Sequence, residues 1–146
     1  MDELGWDEIV ERLGAAQNWW VATSGPGGPH AVPVWGVAVG GALHFYGEPS
    51  SVRSRNLAAD PRVVVHLESG SDVLALHGSA PAGGPAHADT GVVAAYRAKY
   101  THPTDLQYLP DADGMADVLL HTVVPARAFA WRFDGQGDGT VRRWRA

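Results

Sequence analysis

The sequence predicts a mainly β protein, a small antiparallel barrel with a few short helices. Roughly six or seven strand-like segments follow one another through tight Gly- and Pro-rich connections. The regular strand–helix alternation that a doubly wound parallel sheet needs is missing. Helical periodicity is confined to short stretches. The 146 residues read as one domain, 1–146, with an N-terminal helix packed on the barrel. A chain of this size buries roughly 70% of its unfolded surface, so it needs no covalent staple.

Residues 2–16 read as an amphipathic helix, because Trp6, Ile9, Val10 and Leu13 recur at helical spacing on one face. Asn18 to Ser24, rich in aromatic and β-branched residues, reads as the first strand. The run Gly25-Pro26-Gly27-Gly28-Pro29 is a tight connection. His30 to Val39 reads as the second strand. Pro33 lies inside it, and a residue without a backbone N–H belongs on a sheet edge or at a bulge. Gly40-Gly41 has the composition of a two-residue hairpin turn, and Ala42 to Gly47 reads as the third strand.

Glu48 to Arg62 reads as a short helix and its flanks. Pro49 suits the first helical position, and Ser50 or Glu48 suits the N-cap. Ser50 and Ser51 would then stand in the first turn, beside unpaired N–H groups and the positive end of the helix dipole. Arg53 follows one turn after Ser50, and Asp60-Pro61 ends the helix. Between Arg12 and Arg97 the only basic residues are Arg53, Arg55 and Arg62. Such a cluster at a helix N-terminus suits an anion. The plain alternative is a solvated helix whose arginines pair with Glu48, Asp60 or Glu68.

Arg62 to Glu68 and Val73 to Pro81 read as the fourth and fifth strands, and Gly83-Gly84-Pro85 as a chain break. Residues 86–100 read as a helix with Arg97 and Lys99 late in it, where positive charge suits the dipole. Thr101 to Asp117 reads as loop with a short helical piece. Leu119 to Phe133 carries a long strand signal interrupted at Pro125, and Thr140 to Arg145 reads as the last strand.

Composition narrows the function. The net charge of -5 argues against nucleic acid as a partner. The absence of cysteine excludes disulfides and thiol chemistry. No apolar stretch is long enough to span a bilayer, and the reading is a soluble cytoplasmic protein. There is no G-x-G-x-x-G, P-loop, H-E-x-x-H or G-x-S-x-G. The histidines at 30, 44, 66, 77, 87, 102 and 121 lack close metal-ligand spacing, so no metal is expected. Those in strand-like runs read as packing or surface residues. If the chain is an enzyme, a bound cofactor carries the chemistry.

Four segments together resemble the pyridoxamine 5′-phosphate oxidase-like superfamily, and its flavin/deazaflavin-dependent oxidoreductase branch most. They are Trp20-Val21-Ala22-Thr23, Gly28 to Trp35, Leu43-His44-Phe45-Tyr46, and Ser50 to Val63 with its Ser-Ser-Val-Arg-Ser-Arg-Asn-Leu and Asp-Pro-Arg-Val motifs. Ala130-Trp131 and Arg143-Trp144-Arg145 are similar to that branch more weakly. The resemblance implies a split β-barrel of the FMN-binding type and a homodimer with the cofactor between subunits. It implies phosphate contacts at Ser51 and Arg53, with Ser50 and Arg55 nearby. Val32, Pro33, Val34 and Trp35 match the strand along the cofactor ring, and Tyr46 matches a strand end near the phosphate arm. His30 is a weaker match. The chain lacks the second-strand arginine and the C-terminal basic motif of the pyridoxamine phosphate oxidases proper, so vitamin B6 oxidation is not the expected reaction.

The resemblance thus implies an oxidoreductase passing hydride from reduced deazaflavin coenzyme F-420 to a small planar organic substrate, with no catalytic side chain assigned. An FMN-dependent oxidase or reductase is the alternative. A non-catalytic cofactor- or haem-binding protein is the third reading.

Overall fold

The computed structural model describes residues 3–146. Ten strands form two antiparallel sheets flanked by three α-helices. The strands are β1 Trp19–Gly25, β2 Gly28–Val34, β3 Gly36–Val39, β4 Ala42–Gly47 and β5 Arg62–His66, then β6 Asp72–Ser79, β7 Ala82–Pro85, β8 Leu119–Thr122, β9 Val124–Arg132 and β10 Arg142–Arg145. The helices are α1 Trp6–Ala15, α2 Val52–Ala59 and α3 Thr90–Lys99. One sheet runs β10-β9-β6-β5-β1-β2 and the other β3-β4-β8-β7. The two sheets enclose a common core, so the expected mainly β, antiparallel split barrel is the observed fold.

The larger strand count comes from breaks that the composition hides. The expected second strand is two strands in different sheets, β2 and β3, parted at Trp35. The chain can turn there because position 36 has no side chain: a Cβ on Gly36 would lie 2.3 Å from the Trp19 ring. Pro33 pairs opposite Trp20 on β2, an edge strand, as an internal proline requires. The long C-terminal strand breaks at Val123 rather than Pro125. Pro125 instead sits inside β9 opposite Gly78, where the β6–β9 register shifts. Gly83-Gly84-Pro85 does not break the chain but lies in β7, on the edge of the smaller sheet. The last strand starts at Arg142, two residues later than expected.

The helices are shorter than the sequence suggests. α1 begins at Trp6, and Asp2 of the expected span lies outside the described residues. Its Ile9 and Leu13 are fully buried, while Trp6 packs on Trp144 with ring centroids 4.8 Å apart. Residues 86–88 form a 3-10 turn instead of joining α3, because Asp89 caps the helix and accepts a hydrogen bond from the Val92 N–H at 3.1 Å. The loop before β8 holds one 3-10 turn, Leu106–Tyr108, matching the expected short helical piece. Gly40 and Gly41 adopt φ of 58° and 81°, as a tight hairpin turn with two left-handed residues demands.

Trp19 anchors the main core. It is fully buried among Ile9, Leu13, Val21, Phe45 and Val65, and its Nε1 donates to the Leu13 carbonyl at 2.8 Å. A second, smaller core gathers Val37, Val92, Tyr96, Tyr100 and Leu109 between α3, β3 and the long loop. Because the Gly36 backbone lies directly on the Trp19 ring, Gly36→Ala is expected to destabilise the fold by about 2–3 kcal/mol through overpacking. Urea unfolding followed by circular dichroism reads this as a lower midpoint. An unchanged midpoint would show that the contact is not tight.

Candidate functional site

α2 starts later than its sequence suggests, and the shift decides which groups face the groove beside it. Ser51 is the N-cap, in place of Ser50 or Glu48. Its Oγ accepts from the Ser54 N–H at 3.1 Å and donates to Ser54 Oγ at 2.9 Å. A preceding turn, with the Ser51 N–H donating to the Glu48 carbonyl at 3.1 Å, leaves Pro49 and Ser50 outside the helix. Ser50 is exposed there rather than in the first helical turn.

Arg53 folds inward from this helix. Its Nη2 donates to the Tyr46 carbonyl at 3.0 Å, and its guanidinium sits over the Phe45 ring at 5.9 Å. The Arg53 Nε is buried without a partner. Burial disfavours the charged guanidinium and lowers its proton affinity, while Tyr96 and Tyr46 act against that shift. No carboxylate among the described residues pairs with Arg53. Gly47 makes the arrangement possible: a Cβ there would lie 2.6 Å from Arg53 Nη2 and 2.8 Å from Ser54 Oγ. An orphaned buried donor, a cation without a counter-ion and a helix N-terminus converge, which is how a site for a phosphate is built.

These groups open into a groove of 330 Å³ between α2 and the long loop, bordered by Tyr46, Ser51, Arg53, Tyr108, Met115 and Val118. Tyr46 donates its hydroxyl proton to the Tyr108 carbonyl, which ties the loop to β4. Burial pushes the Tyr46 hydroxyl up to about 12, against the nearby Arg53 charge, so it stays protonated through the neutral range. Tyr108 also stands edge-on to Trp35 at 6.3 Å, and Trp35 stacks on Tyr100 at 4.5 Å. An aromatic wall therefore runs from the Arg53 groove to the point where β2 passes into β3.

Ser51, Arg53 and Tyr46 share the groove, and Trp35 joins it through Tyr108. Val34 is buried, and Val32 faces the core half-buried, so their side chains are not groove walls. Pro33 points the other way and is exposed. What β2 offers instead is backbone, because an edge strand has no ladder partner on its outer side. Arg55 is exposed and borders no part of the groove. Arg62 pairs with Asp60 at 2.7 Å, as the plain alternative expects for that residue alone. His30 is half-buried, with its Nδ1 unpartnered. Tyr108, Met115 and Val118 were not legible as site residues, since the loop that carries them has no periodic pattern. Gly47, between a strand and a capped helix, was the one readable sign of a close approach.

A larger depression of 670 Å³ lies on the six-stranded sheet, near Ala22, Val64, His77 and Arg127. It lacks a convergent set of buried donors, so the smaller groove is the candidate site.

Lys99, by its place late in α3 a partner of the helix dipole, sits beside the switch between sheets. Its Nζ donates to the Gly36 carbonyl and lies over the rings of Trp19 and Tyr100 at 5.7 and 5.3 Å. Burial lowers its pKa from 10.5 to about 8. The unfolded chain therefore binds more protons than the folded one between about pH 8 and 10, and the contribution of Lys99 to stability rises with pH across that window. Relative to Lys99→Met, the wild type is expected to gain stability from pH 8 to 10 and to show a flat difference below pH 7. Denaturant titrations at each pH test this, and a difference that falls with pH would contradict it.

No family model and no curated protein matches the chain. Solved structures do. A conserved hypothetical protein, Rv2991 of Mycobacterium tuberculosis, is similar at 23% identity and a TM-score of 0.73, over 88% of this chain and 85% of that one. An F420 reductase is similar at 22% identity and a TM-score of 0.63, over 81% and 94% of the two chains. A putative pyridoxamine 5′-phosphate oxidase of Listeria innocua is similar at 14% identity and a TM-score of 0.64, over 86% and 96%. These likenesses establish the fold alone, the split barrel that the sequence resemblance implies. No helix among the described residues is long and apolar enough to cross a membrane.

Proposed function

We propose that this chain is an oxidoreductase whose redox chemistry resides in a phosphate-bearing flavin-type cofactor, flavin or deazaflavin. One observation carries the reading: the half-buried, carboxylate-free Arg53, whose buried Nε has no partner, beside the capped N-terminus of α2. Arg53 and the first-turn N–H groups would hold the phosphate, with the Ser51 hydroxyl beside them. Tyr46 and Tyr108 would wall the arm between phosphate and ring. At the free edge of β2 Pro33 has no N–H to offer, so the ring would meet backbone carbonyls and the Trp35 N–H there, and that donor would favour charge developing on the ring. When bound, such a cofactor supplies or accepts the hydride for a small planar organic substrate. The F420 reductase and the putative pyridoxamine phosphate oxidase among the structural neighbours support a flavin-type ligand in general.

Arg53→Ala is expected to weaken FMN and coenzyme F-420 binding by about 10- to 100-fold, since a hydrogen bond to a charged group contributes roughly 1.5–3 kcal/mol. Fluorescence titration measures this, and unchanged affinity for both would refute the phosphate assignment.

We further propose that the site is completed in a homodimer. The outer face of the six-stranded sheet carries planar aromatic pairs, Trp20 on His66 at 6.3 Å and Phe129 on Trp131 at 5.6 Å, each within 7° of parallel. These rings are only half-buried, and the helices pack elsewhere, α1 and α3 on β3 and α2 on β1. A face of this composition is suited to a second copy of itself. Sedimentation is expected to give a dimer, with Phe129→Asp monomeric and weaker in cofactor affinity. A wild-type monomer with full cofactor affinity would refute this.

A further inference from the structure

The groove at Arg53 adjoins a second one. Glu48 and Val118 border both, and the second, of 490 Å³, is bordered further by Pro49, Ser50, Gly114 and Asp117. The charge reverses along this path. At the inner end stand Arg53 and the helix N-terminus. At the outer end the only charged side chains are the carboxylates of Glu48 and Asp117. Neither is ion-paired among the described residues. Arg55, although on α2, borders neither part. Arg97 is engaged bidentately by Asp111 of the loop.

Resting on the phosphate reading above, we propose that this exit makes the site select a cofactor that ends at its phosphate, as FMN does. It turns away one whose phosphate continues into a chain of carboxylates, as in glutamylated coenzyme F-420. A terminal phosphate is held at the inner end and asks nothing of the exit. A phosphodiester must send its next unit outward, and a glutamate tail then meets Glu48 and Asp117. Exposed like-charge contacts of this kind shift affinity by roughly two- to fivefold each, and salt weakens them.

The test is a set of fluorescence titrations at low and high salt. The ligands are FMN, riboflavin, F-420 with its glutamate tail, and the corresponding deazaflavin 5′-phosphate without the tail. Tail-free deazaflavin phosphate is expected to bind about tenfold tighter than the tailed form. The gap is expected to narrow at high salt and to close in Glu48→Gln/Asp117→Asn, two exposed substitutions whose folding circular dichroism checks. Equal or tighter binding of the tailed form, or an unchanged ratio in the double variant, would overturn the proposal. Riboflavin binding as tightly as FMN would instead overturn the phosphate reading beneath it, so the two failures are told apart.

Discussion

The approach of the Gly36 backbone to the buried face of Trp19 is the contact on which barrel and site both depend. It lets the chain leave one sheet and enter the other within a single residue. That switch places Trp35 on the stack with Tyr100, and it leaves β2 as an edge with free backbone groups. It also brings α3 against β3, where the Tyr100 hydroxyl accepts from the Gly36 N–H at 3.1 Å and donates to the Gln17 carbonyl at 2.8 Å. Two cores, one on each side of the switch, are thereby fixed relative to one another.

Arg53 shows the opposite economy. A guanidinium half out of water, with an unmade hydrogen bond, works against stability. The fold tolerates it because the Tyr46 carbonyl, the Phe45 ring and the space left by Gly47 hold the side chain in one pose. A residue kept in an unfavourable state by its neighbours is a feature of binding sites rather than of plain cores. The fully buried His121 beside this region likewise keeps one ring nitrogen, Nε2, without a partner. Its Nδ1 meets the Ala80 carbonyl at 2.7 Å, its ring stacks on Phe45, and burial lowers its proton affinity.

The barrel was legible because strand-forming runs and glycine turns are local signals. The sheet switch was not, since nothing in His30 to Val39 marks a change of sheet except a glycine whose partner, Trp19, lies far back in the chain. The same limit applies at α2. Its existence and its serine and arginine cluster could be read, but the N-cap moved to Ser51 because a turn from Glu48 formed first. Val32, Val34 and Arg55 show what residue matching leaves out. A motif gives a position, while sheet pleat and helix rotation decide which way its side chain points. The loop walls, Tyr108 and Met115, have no periodicity to betray them.

The bond between the Tyr46 hydroxyl and the Tyr108 carbonyl joins residues 62 apart in the chain. Between them lie α2, β5, β6, β7 and α3. Closing so long a loop carries an entropic cost, and contacts of this range slow the search for the native state. The groove is therefore expected to be one of the last parts of the molecule to form. The order of events follows from the connectivity: hairpins such as β3–β4 can assemble from neighbouring residues, whereas the groove wall waits for the chain to return.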